Sequence, residues 1–293
     1  MVKGKELDDE LKTARAINGA VPLYFDIKGR QLRVTEVIPN KDHLEIMLNH
    51  PIEVPTPTTV LFKAGADYAR LLSANGRHLV FEGGPEYMVY EGESLHIRHP
   101  QLKVSGPTFL DYEIEKIEKA KAAGFNKYFL SYVESQKDID EFRDFVGNSE
   151  IVAKIENKQG LDFVQNKYKK QDNLGLMAAC GDLFVEVDKP HEVLNAIRLI
   201  IKKDSDAAVG SRLLLSVINS PVPSLADLAH LGWLYDIGYR TMMLCDELCL
   251  KQELLNRAVN VFDAFRDNYA SRPPIVPVSA ISPYSPFVVP PHK

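Results

Sequence analysis

Two apolar runs dominate the pattern of the chain, Ile151-Val152-Ala153-Lys154-Ile155-Glu156-Asn157 and Leu176-Met177-Ala178-Ala179-Cys180-Gly181-Asp182-Leu183. Each has the length of a buried strand and runs out into charged groups at its carboxyl end, where α/β sheets keep their chemistry. A third run, Val21 to Ile27, ends the same way, in Asp26, Lys28 and Gly29. Leu7, Leu11, Ala14 and Ile17 fall at helical spacing, with Asn18-Gly19 as a stop. Further helices are predicted over Tyr112–Ala123, Asp138–Val146, Leu194–Lys203, a stretch opening at Pro221 and running through Leu234, and Lys251–Asn268. Strands are predicted at Lys127–Val133, Ala207–Arg212 and Thr241–Glu247. This alternation is the mark of a parallel sheet with helical crossovers.

Between Val34 and Val104 the period changes. Leu44–Leu48, Thr59–Phe62, His78–Phe81 and Glu86–Tyr90 read as short strands separated by Gly, Pro and Asn, which predicts a small β module inserted into the α/β frame. The domain reading is therefore residues 1–33 as the start of the α/β domain, 34–104 as the insert, 105–270 as the remainder and 271–293 as a proline-rich tail.

With 293 residues and 45% hydrophobic content the chain can bury a large core. A net charge of -5 argues against an extended nucleic-acid surface. No run approaches the ~18 apolar residues of a membrane span, and the charged start Met1 to Glu6 does not lead into a signal core, so a cytoplasmic protein is expected. Cys180, Cys245 and Cys249 suit free thiols; a soft zinc site built from them with Asp182 is the less economical reading. The eight histidines form no motif, and His230 reads as a helix residue.

Lys154 and Glu156 are two apart, so on a strand they share one side of the sheet. A lysine and a carboxylate on an inward face need each other, or a metal and an anion between them. Asp182 adds a second hard oxygen from a neighbouring strand end, and Gly181 before it allows close approach of a ligand to the backbone. Two carboxylates and a lysine suit a divalent cation carrying a 2-oxo acid or enol phosphate. The same residues also suit a buried Lys-Glu pair with Asp182 as the N-cap of a short helix, and spacing leaves the two readings level.

Lys154-Ile155-Glu156-Asn157 followed by Gly181-Asp182-Leu183-Phe184-Val185-Glu186 resembles the pyruvate kinase family, in which Lys-Ile-Glu-Asn precedes Arg-Gly-Asp-Leu-Gly-Val-Glu. Asp26-Ile27-Lys28-Gly29 with Arg33 resembles its Asp-Thr-Lys-Gly-Pro-Glu-Ile-Arg, and Pro221-Val222-Pro223-Ser224 its Pro-x-Pro-Thr. The resemblance implies a TIM-type (β/α) barrel, incomplete at the N-terminus, with an inserted β-rich lid. It also implies roles: Lys154 touching a transferring phosphoryl group, Glu156 and Asp182 binding Mg²⁺ or Mn²⁺, and Asp26 and Arg33 near a monovalent cation and the nucleotide. Ala179, Gly181, Asp182 and Ser211 are then substrate-binding residues, and Lys154, Ser211 and Glu247 the candidates for acid-base work by position. Glu82-Gly83-Gly84 stands where the family has Asp-Asp-Gly at the cleft mouth.

The departures from the pattern fall at functional positions. Cys180 replaces the arginine of Arg-Gly-Asp, Ser211-Arg212 replaces Thr-Gln, Leu225 replaces an arginine and Cys245-Asp246 replaces Ser-Gly. Residues 1–20 hold no Arg-x-Asn-x-Ser element, so the monovalent-cation site is only half represented. What is retained is the enolate half. The expectation is a protein that binds pyruvate, oxaloacetate or a related 2-oxo acid through a metal and performs cleavage, condensation or decarboxylation, with weak or no kinase activity. A minimal phosphotransferase between phosphoenolpyruvate and a nucleotide, and a non-catalytic assembly subunit, are the competing readings. Two sheet edges left open would call for a homo-oligomer or a partner chain.

Overall fold

A computed structural model describes residues 5–17 and 21–271. The chain opens with α1 (Lys5–Ile17) and a short strand β1 (Phe25–Ile27). It then builds β2 (Val34–Ile38), β3 (His43–Glu53), β4 (Thr58–Phe62), β5 (Asp67–Glu82), β6 (Leu95–His96) and β7 (Lys103–Val104). Helix and strand alternate from there: α2 (Asp111–Ala122), β8 (Lys127–Leu130), α3 (Gln136–Val146), β9 (Glu150–Ile155), α4 (Lys158–Asn166), β10 (Leu174–Ala179). The remainder is α5 (Cys180–Glu186), α6 (Glu192–Lys203), β11 (Ala208–Gly210), α7 (Leu225–Asp236), β12 (Thr241–Met243), α8 (Asp246–Cys249) and α9 (Gln252–Phe265). Two compact units result, one within Met1–Leu213 and Asp236–Cys245, the other within Leu214–Tyr235 and Asp246–Lys293.

The first unit holds both sheets. Six parallel strands run in the order β1-β8-β9-β10-β11-β12, the arrangement of consecutive (β/α)-barrel strands. Among the described residues no strand joins β1 to β12, where a closed barrel would have eight strands in a ring. Burial alternates along β9: Ile151, Ala153 and Ile155 are fully buried, while Val152 and Lys154 take the other face. Local sequence sets the crossovers. Ser135 caps α3 in a reciprocal capping box with Asp138, and Ile139, Phe142 and Val146 bury one helical stripe behind it. Asn157, the last residue of Lys-Ile-Glu-Asn, caps α4 by accepting from the Gly160 amide at 2.9 Å. Gly160 has to be glycine, because a Cβ there would lie 2.7 Å from the Val133 carbonyl oxygen.

The second sheet, antiparallel and ordered β2-β3-β5-β4-β6 with β7 on β3, is the inserted module. Val34, Ile46, Leu48, Val60, Phe62, Leu71, Leu79 and Phe81 are entirely buried and form its own apolar core. The strands differ from the sequence expectation in two ways. β5 runs for 16 residues where only His78–Phe81 was expected, since its first part pairs with β4 and its last part with β3. Glu86–Tyr90 is a loop: Pro85 precedes it, Lys63 lies over the Tyr87 ring, and Tyr87 hydroxyl bonds Glu93, so local contacts replace a ladder.

In the second unit α7 and α9 pack through Tyr235 and Phe265, edge to face at 6.1 Å. Asp227 anchors the preceding turn by accepting from the Ser216 amide at 3.1 Å. His230 lies within α7, as its sequence context suggested, with its ring stacked 6.2 Å from Trp233. The proline-rich tail at 272–293 lies outside the described residues.

Candidate functional site

The parallel strands deliver their charged residues to one place. Lys154, one residue before the end of β9, points Nζ at three groups: Glu156 Oε1 at 3.0 Å, Asp26 Oδ1 at 3.5 Å from the end of β1, and Ser131 Oγ, to which it donates at 2.9 Å. Lys28 closes on Asp26 from the other side. Burial works against charge on Lys154, but Glu156 and Asp26 outweigh it and hold its pKa above the ordinary lysine range. Loss of water around Asp26 likewise opposes its charge, and Lys154 and Lys28 reverse this, leaving its pKa lowered. Lys154 is therefore a fixed cation, not a proton acceptor.

Glu156 is completely buried. Its Oε2 accepts from the Tyr132 amide at 2.7 Å, which is possible because Tyr132 takes a left-handed backbone, φ 51°, unusual for a bulky side chain. Oε1 is paired with Lys154 at 3.0 Å and no other group hydrogen-bonds to it. Burial raises the Glu156 pKa, Lys154 lowers it and Asp182 raises it again, with a net upward shift. Asp182 and Glu156 repel one another, and Lys154 offsets part of that repulsion.

Asp182 lies in the first turn of α5; Ala179 holds the N-cap position, which corrects the N-cap reading of Asp182. One turn on, at i+4, Glu186 shares its face. His96 of the β module is buried against both: Nδ1 lies 2.8 Å from Glu186 Oε1 and Nε2 3.4 Å from Asp182 Oδ1, with Tyr132 hydroxyl 3.2 Å from Nδ1. Burial opposes charging of His96, but the Glu186 bond and the charges of Asp182, Glu186 and Glu156 overcome it and raise its pKa. Beside this, a Cβ on Gly181 would lie 3.2 Å from Ser211 Cβ, so the glycine lets the two strand ends approach.

The structure thus brings together Lys154, Glu156, Asp182 and Asp26, with Gly181, Ala179 and Ser211 alongside. Arg33 makes no contact with this group: its guanidinium is bound by Gln31 Oε1 and the Gly92 carbonyl. Glu82 pairs with Arg70 at the surface. Glu247 is exposed on α8 in the second unit. Cys180 is buried and burial pushes its thiol up to about 12, so it behaves as packing. Among the described residues no three His, Cys, Asp or Glu side chains gather as a metal cage, which leaves the cysteine zinc reading without support. Ser131, Tyr132, Glu186 and His96 were missed from sequence. The i, i+4 spacing of Asp182 and Glu186 was the available signal for one; His96 lies in another sheet and had none.

Charged strand ends on parallel strands with helical crossovers define a (β/α)-barrel domain. The family model for the pyruvate kinase barrel domain matches residues 88–248, and the chain belongs to the pyruvate kinase family. It is 26% identical to a pyruvate kinase of Methanocaldococcus jannaschii over 274 residues, 85% of this chain and 60% of the relative. A pyruvate kinase of Thermoplasma acidophilum is 27% identical over 281 residues, 85% of this chain and 47% of the relative, and pyruvate kinase 2 of Saccharomyces cerevisiae 28% over 173 residues. The chain spans about half the length of the curated relatives it matches.

Proposed function

We propose that the chain binds phosphoenolpyruvate or pyruvate together with Mg²⁺ or Mn²⁺ at Lys154, Glu156 and Asp182, and that its chemistry is that of the enolate of a 2-oxo acid. The observation that carries this reading is the buried Glu156, whose Oε1 has Lys154 at 3.0 Å as its one partner and which is repelled by Asp182. That pair fits a hard divalent cation, with ligand oxygens completing the shell that two carboxylates leave short. Such a cation, when bound, supplies Lewis-acid stabilisation of developing negative charge on oxygen.

The protein's own groups do the rest. Lys154 keeps its proton and offers a fixed positive charge to the carboxylate or phosphoryl group of the ligand, aimed by Ser131 and Asp26. The Tyr132 amide fixes Glu156, and Gly181 lets Ser211 pack close beside Asp182. Ser211 and Glu247 are the remaining candidates for moving a proton, since Lys154 is held charged.

Transfer of a phosphoryl group between phosphoenolpyruvate and ADP is the second reading, favoured by the pyruvate kinases it matches. Against high activity stands Cys180, a buried neutral thiol where the family pattern has arginine, because phosphoryl transfer depends on charge neutralisation. One experiment separates the readings: Mn²⁺ and pyruvate in D₂O followed by NMR, beside phosphoenolpyruvate and ADP followed by pyruvate release. Methyl proton exchange that depends on Mn²⁺ and is lost in Glu156→Gln supports enolate chemistry. Absence of exchange together with pyruvate release at ~1 to 100 per second would establish the kinase reading instead.

A further inference from the structure

α5 is a short support for Asp182. It has seven residues and no side-chain cap at its start, so its own sequence does little to fix a residue in its first turn. The β module holds it instead. Arg98, just past β6, donates Nε to the Val185 carbonyl, and a Cβ on Gly65, in the turn between β4 and β5, would lie 3.4 Å from the Val185 side chain. His96, at the end of β6 and 1% exposed, reaches the acidic face of the same helix. Its Nδ1 lies 2.8 Å from Glu186 Oε1, and its Nε2, buried and without a hydrogen-bond partner, faces Asp182 Oδ1 at 3.4 Å. A shift of Asp182 away from the ring would leave that nitrogen buried with no charged group opposite it, and an unmatched buried polar atom is costly.

The same ring completes a chain of contacts to the other carboxylate. Tyr132 donates its backbone amide to Glu156 Oε2 at 2.7 Å and has its hydroxyl 3.2 Å from His96 Nδ1. Each carboxylate is thus held by one oxygen and keeps the other: Glu156 turns Oε1 to Lys154 at 3.0 Å, and Asp182 Oδ2 has no hydrogen bond or ion pair among the described residues. We infer that His96 is a positioning residue, supplied by the inserted module, which sets Asp182 at a fixed spacing from Glu156 and so preorganises the pair for a divalent cation. Groups that orient metal-binding carboxylates without touching the metal carry ~10- to 100-fold in metal affinity. His96 acts through Asp182 and touches no reacting atom. The inference rests on the function proposed above, and it makes the module a working part of the site, where a plain β insert would only shield it.

The test is a Mn²⁺ titration of the full chain at one fixed pH, followed by electron paramagnetic resonance, with the unfolding midpoint measured beside it. His96→Ala should weaken Mn²⁺ binding about tenfold or more. An asparagine amide can stand where Nδ1 stands and hold Glu186 alone, whereas a glutamine amide reaches the place of Nε2. His96→Asn should therefore bind as weakly as His96→Ala, and His96→Gln should recover to within about threefold of the unsubstituted chain. That comparison stands even if the alanine variant does not fold. Arg98→Gln loosens the same helix without touching its carboxylates and should also stay within about threefold. An imidazole that only offset the carboxylate charge would give tighter Mn²⁺ binding once removed, and one needed only for the fold would lower the unfolding midpoint with Mn²⁺ affinity unchanged; either result overturns the positioning role. So does equal weakening in His96→Asn and His96→Gln, or in His96→Asn and Arg98→Gln. Absence of Mn²⁺ binding in the unsubstituted chain, or binding that Glu156→Gln leaves unchanged, sinks the functional reading itself and this inference with it, which tells the two failures apart.

Discussion

The two sheets of the first unit bury opposite kinds of residue. The β module closes over Phe62, Phe81, Leu48 and Ile46 with no charge among them. The parallel sheet carries an apolar back but ends in Lys154, Glu156 and, pressed in from the module, His96. The difference teaches where each element's stability comes from: in the module the apolar core contributes by leaving water, whereas the strand-end groups lose hydration and recover it only through one another. The two buried histidines of the module show the same contrast. His50, with Nε2 3.1 Å from the Gly29 carbonyl, is pushed by burial below the ordinary histidine range, while His96 among carboxylates is raised above it.

The largest effect expected from breaking this comparison is in the module. Phe81→Ala, at a fully buried ring 5.8 Å from Phe62, should cost ~3 to 5 kcal/mol in urea unfolding, and no second substitution nearby should restore it. Lys154→Met should cost a similar or slightly smaller amount, ~3 to 5 kcal/mol, because Glu156 loses its counter-charge while fully buried. Here a second change should help: adding Glu156→Gln should recover a large part of the loss. Additive losses in the double variant would mean that the pair is not an electrostatic unit.

The histidines sharpen the contrast through pH. His50 has a lowered folded pKa, so just below the ordinary value of ~6.5 the unfolded chain binds more protons and stability falls as pH drops. His96 has a raised folded pKa, so its contribution is present below ~6.5 and is lost as pH rises through the folded value. Unfolding followed against pH without added divalent cation should show His50→Gln removing an acid-side loss and His96→Gln removing a loss on the neutral-to-alkaline side. Slopes that change in the same direction would contradict the assignment. The smallest effect expected is at a helix start: Ser135→Ala should cost ~1 kcal/mol by removing the cap of α3.

Most of the frame was legible because periodicity reports burial. The helices near 111–122, 136–146 and 192–203 and the strands β8 to β11 lie within a few residues of where apolar spacing put them. Lys154 and Glu156 were legible as partners because two residues on a strand share a face, and the contact is 3.0 Å. What could not be read is whatever depends on a loop or on the meeting of two sheets. The left-handed turn at Tyr132 that aims an amide at Glu156 has no signature in a tyrosine, and Arg33 matched a motif while its guanidinium went to Gln31 and Gly92. His96 reaches Glu186 across 90 residues of chain, a pairing that no local pattern encodes.

The central claim is that Glu156 and Asp182 hold a divalent cation that carries a 2-oxo acid or enolate beside Lys154. The most direct measurement is Mn²⁺ binding followed by electron paramagnetic resonance, with and without oxalate as a mimic of the planar enolate. The account predicts Mn²⁺ binding that tightens with oxalate, and loss of at least about tenfold in affinity in both Glu156→Gln and Asp182→Asn with the fold intact. Mn²⁺ affinity unchanged in both variants, or indifferent to oxalate, would contradict it.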